Sequence, residues 1–282
     1  MKKYSAGVAV LLFTCCLGYA QEKLDLYPDQ PGALICWTET SSIPRPLKIY
    51  FLKVALNTKA LEVITLPGED PDGDGPAESQ LTLPTILFNK FHALAAVNAN
   101  AFAGLNTGES AYTDWYEGQP VDIHGLVVSG GKTVSPVETG RTPFWIDALQ
   151  RPQIGDPDGG IAVMEAVSDW FSPLLLNSRI VPGPSDTALH PRTAVGYDDG
   201  GTWLLLVVVD GRQPGFSEGV TLYELAKIMQ SNGCSRSINL DGGGSSIMLI
   251  REPGEDVRTL NCPSGKTHRP VPVMLGVRTA SR

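Results

Sequence analysis

The sequence predicts a mixed, strand-rich α/β fold with a central mixed sheet and flanking helices. Three observations carry that expectation. Trp203 to Val209 (WLLLVVV) is an unbroken apolar run ending at Asp210, the pattern of a strand buried on both faces. A helix follows: Thr221 and Glu224 form a capping box, Leu222, Leu225, Ala226 and Met229 recur at helical spacing, and Gly233 closes the C-terminus. Ser237 to Leu240 is a second short strand, ending at Asp241. Strand, helix and strand over 203–241 make a βαβ unit, whose strands should run parallel with a right-handed crossover.

The other elements follow in chain order. Lys2 and Lys3, the apolar run Ala6 to Leu17 and the small residues of Gly18-Tyr19-Ala20 have the layout of a secretory signal over residues 1–20, cleaved before Gln21. Export is therefore expected, to a periplasm or the extracellular medium, with no transmembrane segment after signal removal. Gln21 to Pro46, rich in Pro and polar residues, is expected to wrap the surface. Leu47 to Leu56 and Ala60 to Leu66 are strands, paired as a hairpin across Asn57-Thr58-Lys59. Asp72-Gly73-Asp74 lacks the spacing and closing Glu of a calcium loop, so an exposed acidic loop is expected. Thr82 to Ala93 forms a short helix with Pro84 in its first turn. Strands are expected at Ala95–Asn98, Leu126–Ser129, Phe144–Ile146, Ile161–Ala166, Thr193–Tyr197, Ile247–Ile250 and Val271–Val277. In domain terms, 21–94 supplies N-terminal strands and a surface segment, and 95–282 is the functional domain, expected to form one compact unit with those strands.

Composition narrows the function. The formal net charge is −8, and loss of Lys2 and Lys3 with the signal leaves 20 basic against 30 acidic residues. So acidic a surface argues against sequence-independent binding to nucleic acid or anionic lipid. Three cysteines remain after processing (Cys36, Cys234, Cys262), and a Cys234–Cys262 disulfide is one arrangement open to an exported chain. With His92, His124, His190 and His268 scattered, no zinc-ligand spacing is present.

The two strand ends carry the chemistry. Asp210 and Asp241 each stand at a carboxyl end and are followed by glycines, and parallel strands would set both on one edge, facing a common crevice. Glycines let backbone N–H groups approach an anion, and Arg212 and Arg192 supply guanidinium forks suited to phosphate. Each feature has a structural alternative: glycine runs are often turns, Glu224 is a cap, and Asp210 can tie down a loop. No cofactor is required, although Asp210, Asp241 and Asn239 offer hard oxygen ligands suited to Ca2+ or Mg2+.

Four segments together resemble the phosphodiester glycosidase family. They are His190-Pro191-Arg192-Thr193-Ala194-Val195-Gly196, Asp210-Gly211-Arg212-Gln213, Ser217-x-Gly219-x-Thr221-Leu222-x-Glu224-Leu225-Ala226 and Asn239-Leu240-Asp241-Gly242-Gly243-Gly244-Ser245-Ser246. Asn98 to Phe102 and Arg269-Pro270-Val271-Pro272 also fit, so the resemblance spans Ala95 to Val277. It departs at Ala101, where many members carry an aromatic. The resemblance implies a hydrolase that cleaves a glycosyl phosphodiester at the anomeric carbon and releases a sugar and a phosphomonoester. It implies Asp241 or Asp210 as base or nucleophile. Arg192, Arg212, His190, Ser217, Gly242, Gly243, Gly244 and Ser245 would hold phosphate, and Asn98, Asn100 and Asn239 would meet sugar hydroxyls. The alternative is a non-catalytic binder of phosphorylated or acidic envelope polysaccharide. A phosphomonoesterase fits less well, since no two-metal ligand set is visible.

Overall fold

The computed structural model describes residues 23–105, 114–182, 187–265 and 267–280. The expected signal segment lies outside the described residues. Every pairing between named strands is antiparallel, in sheets of eight, five, five and three strands. With only two α-helices among the described residues, the fold is mainly β, which corrects the expected α/β class and its mixed sheet.

The reason is one strand. Trp203–Val209 and Arg236–Asn239 do point the same way and are joined by a helix, as expected. Arg192–Tyr197 lies between them, antiparallel to both. The crossover therefore skips a position, and no parallel hydrogen-bond ladder forms. Its helix, α2 (Leu222–Ser231), begins with the expected capping box: the Thr221 hydroxyl accepts from the Glu224 N–H, and the Glu224 carboxylate accepts from the Thr221 N–H.

Two further expectations are corrected. Leu47–Ala55 and Leu61–Pro67 are strands, but they belong to different sheets rather than to one hairpin. Alternation explains the split. Tyr50, Leu52 and Val54 meet Leu61 and Val63 in a shared core, whereas Ile49 and Phe51 face α2 and Ile64 and Leu66 face the opposite helix. Each strand thus has an outer face covered by its own helix, which a hairpin would not provide. The second correction concerns Gln21 to Pro46. Within it, Leu34–Ser41 is a strand paired along its length with Leu47–Ala55, burying Leu34 and Cys36 and stacking Trp37 on Phe51 at 4.8 Å.

The layers follow from those faces: α2, the eight-stranded sheet, the shared core, a five-stranded sheet, and helix α1 (Pro84–Lys90). The other five-stranded sheet adds Val127, Phe144, Ile146 and Val167 to the shared core. Cys36, Cys234 and Cys262 are all free thiols, so the Cys234–Cys262 disulfide does not form. Cys234 precedes the Arg236–Asn239 strand while Cys262 binds Asp210 at the edge where that strand ends, so the strand's length separates them. Burial pushes the Cys234 thiol up to about 12. Asp72, Gly73 and Asp74 are exposed, as the acidic-loop reading requires.

Close packing of α2 on its sheet depends on Gly196. A Cβ there would lie 2.7 Å from the Arg236 carbonyl oxygen, 2.7 Å from Ser237 Cβ and 2.8 Å from Met229 Cε. A backbone oxygen cannot swing aside as a side-chain tip can, so Gly196→Ala is expected to lower stability by about 1–3 kcal/mol. Thermal unfolding of the variant checks this; an unchanged Tm would show that α2 is less tightly docked than described.

Candidate active site

Strand ends from two sheets meet at one edge. In the eight-stranded sheet, Arg192 pairs with Val209 and Ala194 with Asn239, so the start of one strand and the ends of its two neighbours lie together. In the facing sheet, Met274 pairs with Asn98 and Met248 with Val97, which brings three more termini to the same place. The chain crosses between the sheets here, through Asp241 to Ile247. Asn98, 1% exposed, holds the crossing: Oδ1 accepts from Thr193 Oγ1 at 2.7 Å and the Ile247 N–H at 3.1 Å, and Nδ2 donates to the Asp241 carbonyl at 2.7 Å. The Asp241 N–H donates to the Ala99 carbonyl at 2.8 Å.

The glycines after Asp241 allow two cations to lie against the backbone. Gly243 has φ +60°, and a Cβ on it would meet Arg212 Nη1 at 3.1 Å. A Cβ on Gly244 would collide with the Arg269 guanidinium, 2.3 Å from Nη2, and one on Gly242 would meet the Pro191 carbonyl at 2.7 Å. Arg269 Nη1 donates to Ser245 Oγ at 3.4 Å, and Arg212 Nε donates to His190 Nδ1 at 3.3 Å. The Asp241 carboxylate accepts from the Gly242 N–H at 2.8 Å and from the Ser245 hydroxyl. Burial pushes its pKa up, opposed by Ser245, the Arg269 charge, the Gly242 N–H and the Arg212 charge. Burial also lowers the pKa of Arg269, a shift that Asp241 opposes and Arg212 reinforces. One carboxylate between two guanidinium groups leaves one net positive charge, the complement of a phosphodiester monoanion.

The structure thus gathers Asp241, Arg212, His190, Gly242, Gly243, Gly244 and Ser245. The other expected residues occupy the bracing around them. Asp210, 1% exposed, accepts from Asn261 Nδ2 at 2.9 Å, from the Cys262 N–H at 3.0 Å and from the Tyr50 hydroxyl, which anchors the 261–262 segment. Burial pushes its pKa up and drives that of Tyr50 far above the usual phenol range. The Ser217 hydroxyl donates to the Asp210 carbonyl at 2.7 Å and accepts from the Lys48 N–H. Arg192 is buried, with Nε donating to the Val220 carbonyl. Asn100 Nδ2 donates to the His124 carbonyl, and Oδ1 accepts from the Ser168 N–H. Asn239 Nδ2 donates to the carbonyls of Trp170 and Leu240.

The donor set considered for Ca2+ or Mg2+ does not converge. Asp210 faces hydrogen-bond donors in one network and Asp241 faces arginines in another, and no group of three or more His, Cys, Asp or Glu among the described residues is placed to hold a metal. Arg269 is the site residue that the strand-end argument missed. It is remote in sequence, and its signal was the Arg269-Pro270-Val271-Pro272 motif.

A second flank is aromatic. The segment entering the Pro173–Leu176 strand, next to Arg236–Asn239, carries Trp170 and Phe171 with ring centroids 5.2 Å apart. The Trp170 N–H donates to the Asn239 carbonyl at 2.8 Å, reciprocating the Asn239 side-chain bond. The Arg141 guanidinium lies 4.1 Å from the Trp170 ring, and the His124 ring 5.2 Å from it. Glu138 pairs with His124 at 3.3 Å and with Arg141 at 3.6 Å.

Residues 91–278 match the family model described as phosphodiester glycosidase. The chain is 30% identical over 158 residues to N-acetylglucosamine-1-phosphodiester alpha-N-acetylglucosaminidase of Bos taurus, covering 45% of this chain and 28% of the bovine protein. It is 46% identical over 61 residues to an SPbeta prophage-derived protein of Bacillus subtilis, covering 22% of this chain and 9% of that protein. The chain thus spans under a third of either curated relative. Its fold is similar to that of the zebrafish N-acetylglucosamine-1-phosphodiester alpha-N-acetylglucosaminidase catalytic domain, described as auto-inhibited by its pro-peptide: TM-score 0.64, 20% identity, 93% of this chain and 88% of that one. A protein of Burkholderia pseudomallei aligns with TM-score 0.57 and 14% identity over 83% of this chain and 74% of its own. Because the family model covers more than half of its residues, the chain belongs to the phosphodiester glycosidase family.

Proposed function

We propose that the protein hydrolyses a glycosyl phosphodiester at the anomeric carbon, releasing a free sugar and a phosphomonoester. Membership of the family supports a hydrolase of glycosyl phosphodiesters. The observation that carries the finer reading is the Asp241 carboxylate under the charges of both Arg212 and Arg269, whose guanidinium groups lie against the glycine turn that follows it. The pattern of the first 20 residues supports action outside the cytoplasm. Among the described residues no helix is long and apolar enough to cross a membrane.

The chemistry suits this arrangement. The bond from the anomeric carbon to oxygen breaks, and its electron pair leaves on a phosphate oxygen. A phosphomonoester is a far better leaving group than a sugar alkoxide, so little general-acid help is needed. Charge held by Arg212 and Arg269 stabilises the departing phosphate. Asp241 then has one of two tasks. As a base it takes a proton from the water whose oxygen bonds the anomeric carbon; as a nucleophile it forms a glycosyl ester that water later cleaves. Both require it ionised. The N-acetylglucosamine phosphodiester in the name of the bovine relative serves as the first compound to try, within a panel of both anomers of several sugar 1-(methyl phosphates).

Asp241→Asn keeps the shape of the site and removes the base or nucleophile. It is expected to lower kcat by about 10³-fold or more, while leaving substrate affinity within a few-fold. Mass spectrometry of the products should show free sugar and methyl phosphate, with no inorganic phosphate from the wild type. Glycan binding with no wild-type turnover across the panel would favour a binder of phosphorylated polysaccharide instead.

The pH profile gives an independent check. A raised carboxyl pKa keeps Asp241 protonated to higher pH, so the acid limb of kcat is expected above the ordinary carboxylate range, with activity lost as pH falls through it. Arg269→Gln removes a charge that favours the carboxylate, so it is expected to move the limb further up and to raise KM. An acid limb unmoved by that substitution would mean another group titrates.

A further inference from the structure

We infer that the substrate binds with a fixed polarity: its phosphate lies against Arg212 and Arg269, and its pyranose ring packs on the aromatic flank formed by Phe171 and Trp170. The inference rests on the glycosyl-phosphodiester reading above. It adds which side of Asp241 each half of the substrate occupies, and which side chains recognise the sugar.

Strand order sets the two sides. Arg236–Asn239, which delivers Asp241, lies between Arg192–Tyr197 and Pro173–Leu176. Beyond the first neighbour stands Trp203–Val209, whose following loop carries Arg212. Beside the second neighbour's start stand Trp170 and Phe171. Asp241 is two residues past Asn239, the residue to which Trp170 is bonded in both directions. Two residues of extended chain span about 7 Å, roughly the width of one pyranose ring.

The aromatic flank is built rather than incidental. Phe171 is 48% exposed and belongs to none of the core clusters, yet its backbone holds φ +92°, a conformation that a bulky residue rarely adopts. Such strain persists where the surroundings over-determine it, and it concentrates at ligand sites. Its ring neighbour Trp170 is itself pinned by Asn239, covered by the Arg141 guanidinium and flanked by the tilted His124 ring. Trp170 serves as buttress and Phe171 as the ring presented to solvent. The negative face of an aromatic ring attracts the polarised C–H groups of a sugar and repels an anion. The reverse orientation would put the phosphate beside the Phe171 ring and a guanidinium, that of Arg141, already paired with Glu138, and would leave Arg212 and Arg269 facing a neutral sugar.

Half-substrates separate the two flanks without any need for turnover. Titrations of a methyl pyranoside and of dimethyl phosphate, followed by NMR, are compared for wild type, Phe171→Gly, Phe171→Tyr and Arg212→Gln. Phe171→Gly is expected to weaken pyranoside binding about tenfold, the scale of one lost aromatic contact, and to leave dimethyl phosphate binding unchanged. Its Tm should not fall, because glycine adopts that φ freely. Phe171→Tyr should restore pyranoside binding, and Arg212→Gln should weaken only the phosphate. Equal loss of both ligands in Phe171→Gly, unchanged pyranoside affinity, or no pyranoside binding by the wild type overturns the assigned polarity. Absence of wild-type hydrolysis would instead count against the proposed reaction, since these titrations read binding alone.

Discussion

Everything at this edge depends on one buried amide. Asn98 ties together the strand that begins at Arg192, the carbonyl of Asp241 and the first residue after the glycine turn, all through a single side chain. It sits where two sheets face one another and the chain passes from one to the other. A buried polar group of this kind is costly without partners, and Asn98 fills both oxygen lone pairs and one amide proton. Because they are all backbone or short side-chain groups, the position of Asp241 is fixed by the sheets themselves rather than by a mobile loop.

That rigidity matters because the local chemistry opposes it. Two guanidinium groups repel one another, and burial disfavours both the Arg269 cation and the Asp241 anion. The site accommodates them by letting arginine approach bare backbone at Gly243 and Gly244, and by bringing both charges to bear on one carboxylate. Arg212 holds a left-handed backbone, φ +59°, in doing so. Such arrangements are stable only inside a fold whose remaining interactions are strong, here a core sealed on both outer faces by a helix. The result is a sheet edge with one excess positive charge beside a carboxylate of raised basicity, which suits an anionic ester.

Much of this was legible in the residues. The apolar run Trp203–Val209, the Thr221–Glu224 capping box and the return strand into Asp241 each carry a local physical signal, and each forms as expected. Their strand ends do share one edge. What local signals could not supply was the partner: Arg192–Tyr197 inserts between the two strands, and nothing in a strand-helix-strand pattern says that a preceding strand will do so. The Leu47–Ala55 and Leu61–Pro67 pair misled for a similar reason, since a short connection looks like a hairpin whether the chain turns back or crosses to another sheet. In the site, the glycines after Asp241 and the arginine after Asp210 pointed to the anion-binding turn. Asp210 carries the same outward pattern, yet its carboxylate is enclosed by donors from Asn261, Cys262 and Tyr50, contacts made over long sequence separations. Arg269 reaches Asp241 by the same long-range route.

In the proposed complex, Asp241 meets the anomeric carbon while the phosphate rests on Arg212 and Arg269. A crystal structure of Asp241→Asn bound to an N-acetylglucosamine 1-(methyl phosphate) tests it directly. Phosphate oxygens are expected within hydrogen-bond distance of both guanidinium groups, with the anomeric carbon facing residue 241. A ligand whose phosphate sits away from Arg212 and Arg269, or whose anomeric carbon faces Asp210 instead, would contradict it.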